Sequence, residues 1–256
     1  MQPLLKIFLP LYLAHLLADF PLQTSWMVQN KRKVAAILAH AAIHYAAGIA
    51  LLALFATGSV FVPRTLCAVG LLVVIHLTLD ETKCWMTRVW PDNYLLFLAD
   101  QLLHLVTVGA AALYLANTRI AGILNSAAIS EPARQNILVI AIVYVGVIFA
   151  GGYLIRYLTK SLAGDVDSNG KQSGNLRNAG LYIGWLERFL FLTAIVVQSP
   201  AIVGLILTGK SIARFPELKE PRFAEYFLIG TFLSLSLAMI GGLVLARLLW
   251  GTASLK

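Results

Sequence analysis

The chain has 256 residues, of which 59% are hydrophobic and only 12% charged, and its mean hydropathy is +0.79. No soluble globular domain of ordinary composition has that balance, which excludes a water-soluble enzyme or nucleic-acid binder at the outset. The formal charge of +8 would suggest nucleic acid in a soluble protein; here it reads as lysine and arginine in short loops that face anionic lipid.

Apolar stretches long enough to cross a bilayer recur along the whole sequence and predict an all-α, polytopic transmembrane helical bundle. In chain order, spans are expected near 2–19, 34–57, 65–82, 94–116, 135–158, 181–209 and 223–248. The first follows Lys6 as a signal peptide would. It carries His15 and Asp19, however, ends in Phe20-Pro21 and offers no small-x-small cleavage site, so it is read as a retained span. The sixth is long and interrupted at Ser199-Pro200, which predicts one kinked helix or two half-spans with a re-entrant turn. Seven spans is the preferred count and eight the alternative. The whole is expected to be one integral membrane domain, with duplicated two-helix hairpins in 1–116 and a three-span or four-span region in 117–256.

Between spans the sequence is less informative. Segment 164–178 is polar and glycine-rich, and Asp165-x-Asp167-x-Asn169-Gly170 mimics the opening of an EF-hand loop. Leu176 stands where a bidentate Glu belongs, so a solvated linker is expected. Cys67 and Cys84 form no Cys-x-x-Cys spacing and read as small apolar fillers. One set of alternating loops holds Lys31, Arg32, Lys33, Lys83, Arg88, Lys160, Lys171 and Arg177, and is expected to be cytoplasmic. The opposite set holds Lys6, Arg64, Arg119 and Arg134, with Lys210, Arg214, Lys219 and Arg222.

Four pairs of metal-type side chains share an i,i+4 spacing within the first four spans: His15/Asp19, His40/His44, His76/Asp80 and Asp100/His104. They use all five histidines of the chain. Residues four apart lie one turn apart on the same helix face, so each pair can close on one ion. Two pairs end their spans and two lie about two turns into theirs, which alternating topology brings to one membrane face, roughly 5–10 Å below the boundary. His15 to His76 and Asp19 to Asp80 are offset by 61 residues, and His40 to Asp100 and His44 to His104 by 60. A duplicated hairpin with parallel topology, forming a four-helix bundle with inward ligands, explains both offsets.

Five imidazoles and three carboxylates exceed one tetrahedral ion and suit two. The donor set favours zinc, with manganese or iron open, and the absence of thiolates speaks against copper(I) and iron–sulfur clusters. A lone buried His or Asp in a membrane bundle is ordinarily a satisfied interhelical hydrogen bond. Four pairs at matched depth, each costly in an apolar span, favour metal instead, with a purely structural ion left open.

Around the pairs, Glu187 is expected on the same face as a general base or as a carboxylate orienting a ligand histidine, with a salt bridge to Arg188 or a loop as the plain alternative. Gln23 and Gln101 flank the carboxylates and are expected in caps or interhelical bonds. Lys31, Arg32, Lys33 and Lys83 would ring the mouth as topology anchors or as a clamp for an anionic headgroup. Lys210, Arg214, Glu217 and Glu225 are expected near the opposite face as interfacial anchors and surface ion pairs.

The strings His15-Leu-Leu-Ala-Asp19-Phe-Pro-Leu-Gln23-Thr, His76-Leu-Thr-Leu-Asp80 and Asp100-Gln-Leu-Leu-His104 resemble a family of bacterial polytopic membrane proteins, the domain of unknown function 3307 family. Gly184-Trp-Leu-Glu187-Arg188 and Glu225-Tyr-Phe-Leu-Ile-Gly230-Thr-Phe-Leu-Ser234 extend the resemblance over nearly the whole chain. It implies a bacterial inner-membrane protein and carries no activity with it. The early motif is also similar to the His-x-x-x-Asp segments of membrane-bound metal-dependent hydrolases. A looser analogy reaches the seven-span zinc hydrolases that include alkaline ceramidases, whose Ser ligand and spacing are absent here.

The function expected from these residues is a metal-dependent hydrolase acting on a lipid or lipid-linked substrate near the cytoplasmic leaflet. Two divalent ions would lower the pKa of a water and polarise a phosphoryl or acyl oxygen. The alternatives are a di-iron lipid oxidoreductase, and a metal-ion or proton-coupled transporter lined by intramembrane His and Asp. Membrane lipid is the expected partner, nucleic acid is not, protein partners are unspecified and a homo-oligomer stays open.

Overall fold

The computed structural model describes residues 2–56, 60–116, 131–163 and 179–251, so the glycine-rich segment 164–178 lies outside the described residues. All regular structure among them is helical: α1 (Gln2–Asp19), α2 (Ser25–Gln29), α3 (Val34–Phe55), α4 (Pro63–Met86), α5 (Tyr94–Ala116), α6 (Glu131–Val145), α7 (Gly151–Ala163), α8 (Ala179–Val196), α9 (Pro200–Ala213) and α10 (Pro221–Trp250). A π turn, Gly146–Ala150, joins α6 to α7, and a 3-10 turn, Glu217–Lys219, precedes α10. Five stretches are long and apolar enough to cross a membrane: Val34–Phe55, Pro63–Met86, Tyr94–Ala116, Ala133–Lys160 and Pro221–Trp250. The chain is an integral membrane protein.

Two compact units divide the chain, Met1–Ile142 and Val143–Lys256. In the first, α1 packs against α3 and α5, and α4 packs against the same two helices, closing a ring of four. Each helix offers one stripe to the interior at spacings of three and four. These are Ala36, His40, His44, Gly48 and Leu52 on α3, Thr65, Val69, Val73 and His76 on α4, and Phe97, Asp100, His104, Val108, Ala112 and Leu115 on α5. The stripes are polar at one end and apolar at the other, where Ile7, Leu11, Leu52, Val69, Val108 and Leu115 share one core. Gly48 lets α3 approach α4, since a Cβ there would lie 3.1 Å from Val69 Cγ1. Helix α1 is buried nearly all round, from Ile7 through Leu9, Leu11, Leu13 and Leu16 to Ala18, as expected of a helix inside other helices.

The second unit answers the question left by Ser199-Pro200. Helix α8 ends at Val196, Gln198 takes a left-handed φ of 56°, and Pro200 opens α9. Proline has no N–H to continue α8 but suits the first turn of a new helix. Ser199 N–H instead donates to Ala194 O at 2.8 Å, which closes the end of α8. The result is a tight helical hairpin. Helix α9 has 14 residues, about 21 Å of rise, short of the roughly 30 Å apolar core of a bilayer. Against α8 and the π turn runs α10, brought close by small residues: a Cβ on Gly242 would lie 2.5 Å from Ile195 Cγ2, and one on Gly241 2.7 Å from Val147 Cγ2.

Candidate metal centre

Local sequence fixes where each of the eight side chains stands. Asp19 is the last residue of α1, His40 the seventh of α3, Asp80 lies six before the end of α4, and Asp100 is the seventh of α5. All four pairs therefore occupy the same end of the ring. A carboxylate at a helix C-terminus opposes the macrodipole, so Asp19 needs compensation from elsewhere. It receives it from imidazoles of the neighbouring helices.

Asp19 Oδ1 lies 2.9 Å from His44 Nε2, 3.3 Å from His76 Nε2 and 3.6 Å from His40 Nε2, while Oδ2 is 3.7 Å from His15 Nδ1. His40 Nε2, His76 Nε2 and Asp80 Oδ2 form a triangle with sides of 3.3, 3.3 and 3.4 Å. A tetrahedral ion with ligand distances near 2.0–2.1 Å has donor–donor edges of about 3.3–3.4 Å, so this triangle has the size of one tetrahedral face. His104 Nε2 is 3.7 Å from Asp80 Oδ1. Three overlapping groups thus have ligand atoms within 4.8 Å of one another: His15, Asp19, His44 and His76; His40, His76 and Asp80; Asp80, Asp100 and His104.

The hydrogen bonding is incomplete in an informative way. His104 Nδ1–H donates to the backbone carbonyl of Asp100 at 2.9 Å, which leaves Nε2 as the lone-pair nitrogen. That Nε2 is fully buried and has no hydrogen-bond partner among the described residues, and the same is true of His15 Nε2 and His40 Nδ1. Buried polar atoms are ordinarily satisfied. His40 and His76 also face each other through their Nε2 atoms, an arrangement that needs a proton or a cation between lone pairs. All five imidazoles are 1–7% exposed, and a cavity of about 20 Å³, room for one water, lies among His15, His44, His76 and His104. Asp80 is the open edge, its side chain 33% exposed against 12% for Asp19. The donor set, the unpaired nitrogens and the edge lengths fit a divalent ion.

Two features were not readable from spacing. Lys83, expected as a mouth anchor, donates to Asp100 Oδ2 at 2.9 Å, and Gln101 donates to the same oxygen at 3.1 Å. Asp100 is thus held on one oxygen by its neighbours while its backbone carbonyl orients His104. The only available signal was register: Lys83 follows Asp80 by three residues and continues its face of α4.

Glu187 belongs to the second unit and is 6% exposed, and Lys210 Nζ contacts its Oε2 at 2.6 Å. The expectation that Lys210 is an anchor at the opposite face from Glu187 is overturned. The α8–α9 hairpin brings the two level, since Glu187 precedes Ser199 by twelve residues and Lys210 follows it by eleven. Lys210 also donates to Thr231 Oγ1 at 2.8 Å and sits over the Phe227 ring at 4.8 Å. Arg214 and Glu217 form the exposed surface pair that was expected, at 3.2 Å.

A family model described as a protein of unknown function (DUF3307) matches residues 7–130. All eight paired side chains lie within that segment, whereas the Gly184–Arg188 and Glu225–Ser234 strings lie beyond it. No curated protein and no solved structure matches the chain.

Proposed function

We propose that the protein is a membrane-embedded metal-dependent hydrolase acting on a lipid or lipid-linked substrate, since the segment that resembles the DUF3307 family, residues 7–130, holds every histidine of the chain. The observation that carries this reading is the cluster of five imidazoles and three carboxylates with three buried, unpartnered imidazole nitrogens. The centre is read as dinuclear, with His76 and Asp80 each shared between neighbouring groups and zinc favoured over manganese or iron.

Bound ions would supply Lewis acidity toward a phosphoryl or acyl oxygen and acidify a water. The chain's own residues do the rest. Asp19 holds His40, His44 and His76 around one oxygen. The Asp100 carbonyl fixes the tautomer of His104. Asp80, the most open carboxylate of the set, faces the way in and is placed to accept a proton from an attacking water.

A lipid substrate is favoured by what surrounds that end of the ring. Trp26, Trp85, Trp90 and Tyr94 are exposed there, as expected of an aromatic belt at headgroup level. Lys31, Arg32, Lys33 and Arg88 occupy the same loops, against Lys6 and Arg64 at the other end of these helices, which favours the cytoplasmic side of a bacterial inner membrane. Seven full spans with α9 as a half-span, or eight, both accommodate this placement.

The test is elemental analysis of the purified protein beside a His40→Ala/His44→Ala double variant. Wild type is expected to hold about two equivalents of divalent metal and the double variant far less, with helical circular dichroism unchanged. Zinc-dependent cleavage of ester or phosphoester lipids in proteoliposomes should disappear with the metal. Wild type with less than roughly half an equivalent, whatever metal is supplied during growth, would sink the reading.

A further inference from the structure

The second unit holds a buried arginine that, among the described residues, takes part in no ion pair. Arg188 is 5% exposed on α8. Its Nε–H donates to Ile148 O at 2.9 Å, a carbonyl inside the Gly146–Ala150 π turn, where the hydrogen-bond register slips and leaves a carbonyl open. Among the described residues, Nη1 and Nη2 have neither a hydrogen bond nor an ion pair. The adjacent carboxylate, Glu187, is already neutralised by Lys210 at 2.6 Å. Among the described residues, Glu187, Lys210 and Arg188 together carry one net positive charge in an apolar setting.

Burying an unpaired ion costs several kcal/mol, and a helix in an apolar medium has no reason to keep one without a partner. The fold also makes room for this particular side chain. A Cβ on Gly152 would lie 2.5 Å from Nη2 and one on Gly184 3.3 Å from Nη1. Two glycines and an open carbonyl thus hold the guanidinium in one orientation. An arginine merely reaching for the membrane surface would need neither.

We propose that Arg188 is the anchor of a second ligand site, which takes a phosphate-type oxyanion on the Nη1/Nη2 end of its guanidinium. With Nε committed to Ile148 O, the remaining end-on pair of N–H donors matches two oxygens of one phosphate. The site is independent of the metal centre and of the hydrolase reading. The oxyanion comes either from a lipid headgroup or from free phosphate, since both present the same oxygens.

Thermal unfolding in a phosphate-free detergent separates these sources. Inorganic phosphate is one arm and phosphatidylglycerol in mixed micelles the other, both at constant ionic strength. Wild type is expected to gain about 3–6 °C with ligand roughly tenfold above Kd. A gain with phosphate alone assigns the free anion, and a gain confined to phosphatidylglycerol assigns the headgroup. Arg188→Gln should lose the gain while its unliganded midpoint stays level or rises, because an uncompensated charge has been removed. Gly152→Ala keeps the charge but displaces the fork, and its response should fall; that variant decides the matter if Arg188→Gln does not fold. No gain for wild type in either arm, or an Arg188→Gln response equal to wild type, overturns the proposal.

Discussion

In the first unit, one carboxylate oxygen of Asp19 lies within 3.6 Å of three imidazoles, and His76 in turn lies 3.3 Å from both Asp19 and Asp80. In the second, among the described residues, Glu187 has one ionic partner, Lys210, and Arg188 has one hydrogen bond, to a backbone carbonyl. Both units place ionisable groups in apolar helices, yet one shares its partners and the other assigns them singly. Sharing suits a cluster that must organise several lone pairs around a common point. Single assignment suits pinning two helices together, and it leaves no substitute when a partner is lost.

Lys210→Met is the sharpest way to break that contrast. It leaves Glu187 buried without its ion-pair partner, and a loss of about 3–5 kcal/mol is expected, visible as a large fall in thermal midpoint or as failure to purify. Adding Glu187→Gln should recover most of the loss, and a double-mutant cycle measures the coupling. If Lys210→Met alone unfolds no more easily than wild type, the pair is a surface contact and the contrast collapses. Metal removal is the matching experiment on the first unit. Chelation should lower the stability by up to about 4 kcal/mol where free metal had exceeded Kd a thousandfold, whereas His15→Ala without metal should unfold close to the wild-type apo protein because its neighbours remain.

The sequence is legible where one helix carries its own meaning. The i,i+4 pairs announce a shared face, and alternating direction brings four such faces to one end without any long-range information. The long apolar runs likewise announce α3, α4, α5, the Ala133–Lys160 stretch and α10. What stayed hidden depends on contacts between helices. Lys83 and Asp100 are 17 residues apart and Lys210 and Glu187 are 23 apart, so neither pair shares a helix. Ser199-Pro200 permits a kink as readily as a hairpin, and that choice alone decides whether Lys210 meets Glu187. The hairpin was signalled only by the near-equal spacing of the two charges about the break. The arginine niche was signalled by Gly151-Gly152 and Gly184, whose purpose appears only once Arg188 is seen against them.

Packing in the second unit supplies the next prediction. Gly242→Ala would set a Cβ 2.8 Å from Ile195 Cβ and 2.5 Å from its Cγ2, and a β-branched side chain cannot swing aside. A cost of about 1–3 kcal/mol is expected, read from the thermal midpoint in detergent. The same change at Gly48 in the first unit meets Val69 Cγ1 at 3.1 Å and Leu11 Cδ2 at 3.9 Å and should cost less. Equal losses at the two sites would mean that α8 and α10 are packed no more tightly than α3 and α4.

Arg214→Ala marks the lower bound. Arg214 and Glu217 form an ion pair three residues apart with side chains 36% and 43% exposed. Exposed pairs of this kind gain little Coulomb energy in water and lose side-chain freedom, so a change within about 0.5 kcal/mol is expected. Arg214 lies four positions after Lys210, which makes the two substitutions a matched pair on one stretch of chain. The same loss of positive charge should be nearly silent at 214 and severe at 210, because burial and the unpaired carboxylate left behind, not charge number, set the cost. Comparable losses at both positions would mean that Lys210 and Glu187 are as open to water as Arg214 and Glu217.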